Sequence, residues 1–600
     1  MSDKEALGPP SKGFADEWRP DIVVGVDFGM THTGVAYSYG PEWPPPKTIQ
    51  RWPGKLPGEL ANKVPTCITY RANSTVSHWG FQCELDSPEE ELKEFFKLHL
   101  SPQHPRDGGP SLSEAQRWFQ DYIRCLYRHV VLYFESTIPQ FVSQRVEFLF
   151  SVPTTWKDVR MVEETRRLLA QVIGVHNPNH RACIGLTEAE AAAVYAGNEH
   201  YWVYDTILVC DSGGGTTDVN VLKLLSSRGE PTRLAQLGHV EGGHPIGSVF
   251  IDREIHRLIC ARLETVRSHL RLSPSATAWK MTFGRFQRYK CAFGTEATAT
   301  PWLKLDVPSL VSDADLPEAE IYDGQMQIAW EDIQKCFDSK IAGMCRLLDG
   351  HIRQLQAQYP NDRIKYLVLS GGLGSSPYVR RCLYERYSPG SYPGTEKMQV
   401  LTADEPQLVV VHGLVMDRIQ QIKRGVVTFG SRCAPVSYGI ICNKLYSREI
   451  HVGERVQVDP RDNQMYVLDQ VDWLVIRGSP IPSTGVTKEF QLKTDIGQES
   501  EPWRVQIVMS TFLPDKLPRG VKDEGVQPVC NLNILTDNVD KKLKNRHWYS
   551  SRPAFWRTSF EVKVVVGPAD LTFQLWSKGE RIWSKHDPIS VQWMPAETPS

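Results

Sequence analysis

The sequence predicts an α/β fold in which one strand–turn–strand unit occurs twice, followed by a β-rich C-terminal region. Three observations carry this. An apolar run at 207–210 leads into Asp211-Ser-Gly-Gly-Gly-Thr-Thr-Asp218, and a second apolar run follows, which is the pattern of a strand, a tight glycine turn and a returning strand. The same order occurs around Asp27-Phe-Gly-Met-Thr31, where setting Asp27 on Asp211 places Gly29 on Gly213 and Thr33 on Thr217. Beyond 425 helical spacing gives way to alternation, as at Trp503, Val505 and Ile507 and again at Phe560, Val562, Val564 and Val566, as expected of a β-sandwich or barrel. One Asp-x-Gly turn commonly only joins two strands. Two copies point to a duplicated domain with two facing phosphate loops.

The chemistry of the turns fits that reading. Gly213, Gly214 and Gly215 let an anion approach the backbone closely, and successive N–H groups can form a nest for phosphate oxygens. Asp27 and Asp211 stand at strand ends, where a carboxylate can hold a metal through water.

Bulk properties exclude several classes. The chain has 600 residues, 41% hydrophobic and 23% charged, an ordinary globular composition with length for several domains. A net charge of −2 gives no reason to expect a nucleic-acid or anionic-membrane partner. The 13 cysteines are scattered without a Cys-x-x-Cys pattern, so they read as small core residues in a reducing compartment, with the cytoplasm as the expected location. The segment 1–20 is polar, lacks the apolar centre of a signal peptide and reads as a disordered tail.

In chain order, 21–200 forms a first lobe, 201–424 a second and 425–597 the β-rich region. After the first hairpin comes a strand within 63–70. Leu92, Phe95, Phe96 and Leu100 have helical spacing and predict a helix over 89–100, with Lys97 on it. Helices follow at 113–135, with Ser113 as the cap, and at 157–173, separated by a strand at 145–150. The run 188–197 is a small-residue helix able to pack closely on a partner helix. Past the second hairpin, the glycine-dense loop 237–247 carries His239 and His244, two histidines without the further ligands of a metal site. Helices are predicted at 248–270, 279–293 (carrying Lys290), 330–358 and 406–422. A strand at 364–370 enters the glycine loop Ser370-Gly-Gly-Leu-Gly-Ser-Ser-Pro377 and a helix, a ready nucleotide site.

Together Asp27-Phe-Gly-Met-Thr31, Glu188-Ala-Glu-Ala-Ala-Ala193, Asp211-Ser-Gly-Gly-Gly-Thr-Thr-Asp218 and Ser370-Gly-Gly-Leu-Gly-Ser-Ser-Pro377 resemble, in order, the motifs of the actin, sugar-kinase and heat-shock ATPase superfamily. Ser151-Val-Pro153 with Glu188 to Ala193 looks most like the 70-kDa heat-shock branch. The resemblance covers 21–422 and implies two ribonuclease-H-like lobes closing on ATP and Mg²⁺. It implies that Gly29, Met30 and Thr31 hold phosphates from one lobe and Gly213, Gly214, Gly215 and Thr216 from the other. Asp27 and Asp211 would hold hydrated Mg²⁺, Asp218 would orient the attacking water, and Glu188 would stand behind them. Lys290 would touch adenine or ribose, Gly371 and Gly372 the adenosine, and Lys97 would stand where the family places a catalytic lysine. Bland readings remain beside these: Glu188 as a complement to a helix N-terminus, Lys97 and Lys290 as solvated helix lysines, Gly371 and Gly372 as a packing loop.

The chain departs from the family at definite points. Met30 replaces a threonine, which removes a hydroxyl beside the phosphates at a cost of about 1.5–3 kcal/mol. Cys291 and Ser375 stand where paired arginines sandwich adenine. Ala434-Pro-Val-Ser-Tyr-Gly439 and Pro480-Ile-Pro482 resemble remnants of a peptide-binding β-sandwich, but the leucine-rich acidic linker, the helical lid and the acidic tail motif are absent. The expected function is a chaperone-like ATPase with client peptides and co-chaperones as partners. A nucleotide-binding scaffold without useful turnover is the alternative, and a small-metabolite kinase on the same fold the third reading.

Overall fold

The computed structural model describes residues 18–593 apart from 84–90, 102–108, 155, 157, 199–200, 228, 239–240, 245, 283, 309, 311–314, 537–538, 548–549, 568–570 and 583–588. Most of the tail expected at 1–20, and His239, lie outside the described residues.

Strand β1 (Ile22–Phe28) is buried along its whole length, and β2 (His32–Tyr39) returns antiparallel beside it with Asp27 opposite Gly34. The strand Val146–Val152 runs parallel to β1, and His180–Thr187 parallel to that. The sheet therefore reads Lys47–Thr48, β2, β1, Val146–Val152, His180–Thr187. A second sheet reads Leu234–Gln236, Thr217–Leu224, Thr206–Ser212, Ile364–Ser370, Gln399–Thr402. It repeats the first, with an antiparallel hairpin at its centre and two parallel strands on one side. Both hairpins are buried on two faces, which explains their continuous apolar runs.

Helix α1 (Leu112–Thr137) is capped by Ser111 rather than the expected Ser113: Ser111 Oγ accepts from Glu114 N, and the Glu114 carboxylate reaches back to Ser111 N. It packs Trp118, Phe119, Tyr122 and Phe134 into the first core. Helices α2 (Val159–Ala170) and α3 (Glu188–Gly197) follow. In the second lobe come α4 (Ser248–Thr265), α5 (Pro274–Thr282), α6 (Arg285–Ala292), α7 (Trp330–Gln358), α8 (Gly371–Gly374), α9 (Pro377–Tyr387) and α10 (Val409–Arg424). The helix predicted over 279–293 is two helices, because Gly284 at φ 66° lies outside helical space. The close partner expected for the small-residue helix α3 is α10: a Cβ added to Gly413 would lie 1.9 Å from the Ala191 carbonyl oxygen.

The helix predicted over 89–100 does not form there. Glu91–Glu94 is a strand paired to Cys67–Tyr70, and Phe96–Leu100 a short 3₁₀ turn. The open edge of Cys67–Tyr70 captures the first half, and Phe95 at φ 56° breaks the path before the second. Phe96 and Leu100 still reach the core, so the apolar spacing was real but served two elements.

Strand pairing runs across residue 425. Phe429–Cys433 lies parallel to Leu234–Gln236, and Pro480–Pro482 pairs with Phe429–Cys433, so both extend the second-lobe sheet. The remaining strands form a six-stranded and a five-stranded sheet. Tyr438, Ile440, Ile507 and Leu532 from the first share a core with Phe560, Val562, Phe573 and Leu575 from the second, which makes a sandwich. Val159 of α2 joins that core, and Arg160, fully engaged with Asp158 at 2.6 Å, donates to the Pro528 carbonyl at 3.0 Å. The β-rich region thus contacts α2 through its sandwich and extends the second sheet through two further strands.

Candidate nucleotide cleft

The two hairpin turns face one cleft of ≈ 840 Å³, within the size range of small-molecule sites. Its walls bring together Asp27, Gly29, Met30, Thr31, Lys97, Glu188, Asp211, Gly213, Gly214, Gly215, Thr216, Lys290, Gly371 and Gly372. Asp218 stands behind the wall, 2% exposed and opposite Asp211 in the hairpin register, and Ser375 is likewise not a lining residue.

The turns pack on each other and on helix ends, and this is what their glycines allow. A Cβ on Gly214 would meet Thr31 Oγ1 at 2.6 Å, and one on Gly215 would meet Met30 Cε at 2.3 Å. Gly247, before α4, approaches the same loop: its Cβ would lie 2.3 Å from Gly214 O. The first amides of α4, Ser248 N and Val249 N, donate to Gly213 O and Gly214 O, which ties those carbonyls to the helix end. Gly371 has φ 79°, and a side chain there would strike Ser212 O at 2.3 Å.

Charges are arranged in pairs. Lys97, 8% exposed, donates to Glu188 Oε1 at 2.5 Å and also to the Phe28 carbonyl. It is not a solvated helix lysine, and Glu188, the first residue of α3, is not merely a complement to the helix dipole. Lys290 on α6 donates to both oxygens of Asp252 on α4, at 2.7 and 2.8 Å, and Gln287 adds a bond at 3.2 Å. Asp27 accepts from Lys63 Nζ at 2.6 Å and from Ser151 Oγ at 3.5 Å.

Among the described residues Asp211 and Asp218 have no lysine or arginine in such contact. Burial pushes Asp211 up to about 7, against the hydrogen bond from Ser370 Oγ at 2.8 Å and reinforced by the charges of Glu188 and Asp27. Burial, then Glu188 and Asp211, hold the Asp218 carboxyl well above its ordinary range. Asp218 Oδ2 accepts from Thr216 Oγ1 at 3.3 Å, while Oδ1 has no hydrogen-bond partner among the described residues. A shortage of positive charge beside two buried carboxylates is what a divalent cation would relieve, and Mg²⁺ needs only one or two carboxylates plus phosphates and water. The donor set therefore fits a hydrated Mg²⁺, although among the described residues no three His, Cys, Asp or Glu side chains gather to hold a metal by themselves.

At the far end, Cys291 lines the cleft and Ser375 Oγ turns to Gly372 O at 3.1 Å; no arginine stands among the described lining residues. Sequence reasoning did not find Lys63, Asp252, Gln287 or Ser370 as site residues. Ser370 opens a recognised glycine loop and was within reach. Lys63 and Asp252 sit outside any turn motif and gain meaning only from their partners.

A family model described as a domain of unknown function (DUF8568) matches residues 432–595. Curated relatives include heat shock 70 kDa protein 12A of Mus musculus, 21% identical over 539 aligned residues, covering 75% of this chain and 76% of the relative. Heat shock 70 kDa protein 12B of Homo sapiens is 21% identical over 505 residues, covering 68% and 71%. Over more than two thirds of its length the chain is thus similar to these heat shock 70 kDa proteins, and this likeness supports a divergent heat-shock-70-like, actin-like ATPase relationship.

Proposed function

We propose that the protein binds ATP with Mg²⁺ between two ribonuclease-H-like lobes, hydrolyses it slowly and uses the nucleotide state to bias its β-rich domain toward client peptides. The observation that carries this is the convergence of both Asp–Gly turns, the Lys97–Glu188 pair and the Gly371 loop on a single cleft. Asp27 and Asp211 would hold the cation through water, and when bound it would neutralise charge on the transferred phosphoryl group. The backbone of Gly29 to Thr31 and of Gly213 to Thr216 would grip phosphate oxygens. Lys97, fixed by Glu188, supplies a buried positive charge to the phosphate end. Asp218, buried behind the wall with Oδ1 unpaired among the described residues, would act on the attacking water from behind the Asp211 turn. Asp252, Gln287 and Lys290 present polar groups to the ribose and base end. The free state of all thirteen cysteines supports a cytoplasmic setting. Among the described residues no helix is long and apolar enough to cross a membrane.

A second reading, a nucleotide-binding scaffold without useful turnover, is favoured by Met30. Its thioether is buried against Gly215 where a hydroxyl would otherwise face the phosphates. Calorimetry of Mg·ATP binding, run beside phosphate release for wild type and Asp211→Ala, tests both. Binding with turnover that disappears in the variant supports the ATPase. Binding without turnover supports the scaffold, and no binding overturns both.

A further inference from the structure

Each lysine on the cleft wall has its own carboxylate. Lys55 faces Glu59 at 3.7 Å on the rim, Lys97 holds Glu188, and Lys290 holds Asp252. Lys63 differs in its choice, because it takes one of the two aspartates expected to face the cation. Its position is built rather than incidental. The segment Val64–Pro65 pairs with β2, Thr66 N donates to Thr31 O at 2.8 Å, and the lysine stem crosses Gly34, where a Cβ would lie 3.3 Å from Lys63 Cε. The ammonium therefore stands on the cleft wall against Asp27.

We propose that Lys63 is a resident counter-cation of the phosphate site: it neutralises Asp27 in the empty cleft and contacts the terminal phosphates of a bound nucleotide, so that nucleotide binding depends only weakly on a divalent ion. The inference rests on the nucleotide reading above. It follows from the asymmetry of the two turns. On the first lobe Asp27 is already balanced by an ammonium at 2.6 Å, whereas among the described residues Asp211 and Asp218 on the second have no lysine in hydrogen-bond contact. A divalent ion must share Asp27 with Lys63, so its gain there is small. An anionic phosphate entering between the turns meets the ammonium directly and forms a charge-assisted hydrogen bond.

The test measures binding rather than turnover. ATP and ADP affinities are determined by calorimetry in Mg²⁺ and in excess chelator, for wild type, Lys63→Arg and Lys63→Met. Wild type and Lys63→Arg should lose less than about fivefold in affinity on removal of Mg²⁺, while Lys63→Met should lose about fiftyfold or more, the scale of one charged hydrogen bond. A wild-type loss of about fiftyfold overturns the proposal whether or not Lys63→Met folds, and so does an equal Mg²⁺ dependence of Lys63→Met and wild type. Absence of binding in both buffers is a different result, because it overturns the nucleotide reading itself.

Discussion

Gly413→Ala adds one methyl group at the crossing of α3 and α10. That methyl would lie 1.9 Å from the Ala191 carbonyl oxygen. An acceptable carbon–oxygen contact is about 3.3 Å, so the helices must part by roughly 1.4 Å. The obstacle is backbone, and no rotamer change can relieve it. Around the crossing lie Leu186, Ala192, Val194, Val410 and Leu414, whose packing is lost as the gap opens. Overpacking of this kind costs about 1–3 kcal/mol. At about 2 kcal/mol, amides of α3 that exchange by local opening should exchange about thirtyfold faster, readable by hydrogen exchange. Glu188 begins the same helix, so nucleotide affinity should fall as well. Gly350→Ala is the control: it lies inside α7 with nothing within 4 Å of the new methyl, and should stabilise by about 0.5–1 kcal/mol. Unchanged exchange of α3 in Gly413→Ala, or the same effect from both substitutions, would refute the reasoning.

Two further outcomes are expected. Met30→Thr restores a hydroxyl at the phosphate end and should raise single-turnover phosphate release about ten- to a hundredfold, with some loss of stability from the vacated thioether site; an unchanged rate at retained affinity would remove Met30 as the cause of slow turnover. Glu94 is pushed up to about 7 by burial, above its ordinary carboxylate value. The folded protein therefore holds that proton more tightly than the unfolded chain, and the stability this gives at pH 4 is lost as pH rises through 7. Allowing for partial exposure, urea midpoints should show Glu94→Gln more stable than wild type by about 2 kcal/mol at pH 8 and not at pH 4; an equal difference at both values would exclude the titration.

The hairpins, α3 and α7 were legible because their signals are local. A buried strand reads as an apolar run, a turn that admits phosphate reads as glycines, and the 29 residues of α7 keep one apolar face throughout. The stretch from Glu91 to Leu100 was misread because its spacing fits a helix, while the deciding influence, the open edge of Cys67–Tyr70, lies more than twenty residues away. Asp27, Asp211 and Asp218 stand out in the sequence because they are fixed by their own turns. Lys63 and Asp252 were missed because nothing local distinguishes them: Lys63 acquires a role from Asp27, and Asp252 from Lys290 one helix away. The solvated-lysine reading of Lys97 fails because its burial against Glu188 is a tertiary fact no window of sequence contains.

The two strands that the β-rich region lends to the second lobe have a practical consequence for dissection of the chain. Cutting after α10, where composition changes, would leave Leu234–Gln236 as a bare sheet margin with unpaired amides and carbonyls. Such a margin is a template for strand addition between molecules. The same cut would strip Val159 and Arg160 of their cover. A fragment meant to keep the nucleotide cleft candidate should therefore retain Phe429–Cys433 and Pro480–Pro482, and the protein is better divided by its hydrogen-bond ladder than by its composition.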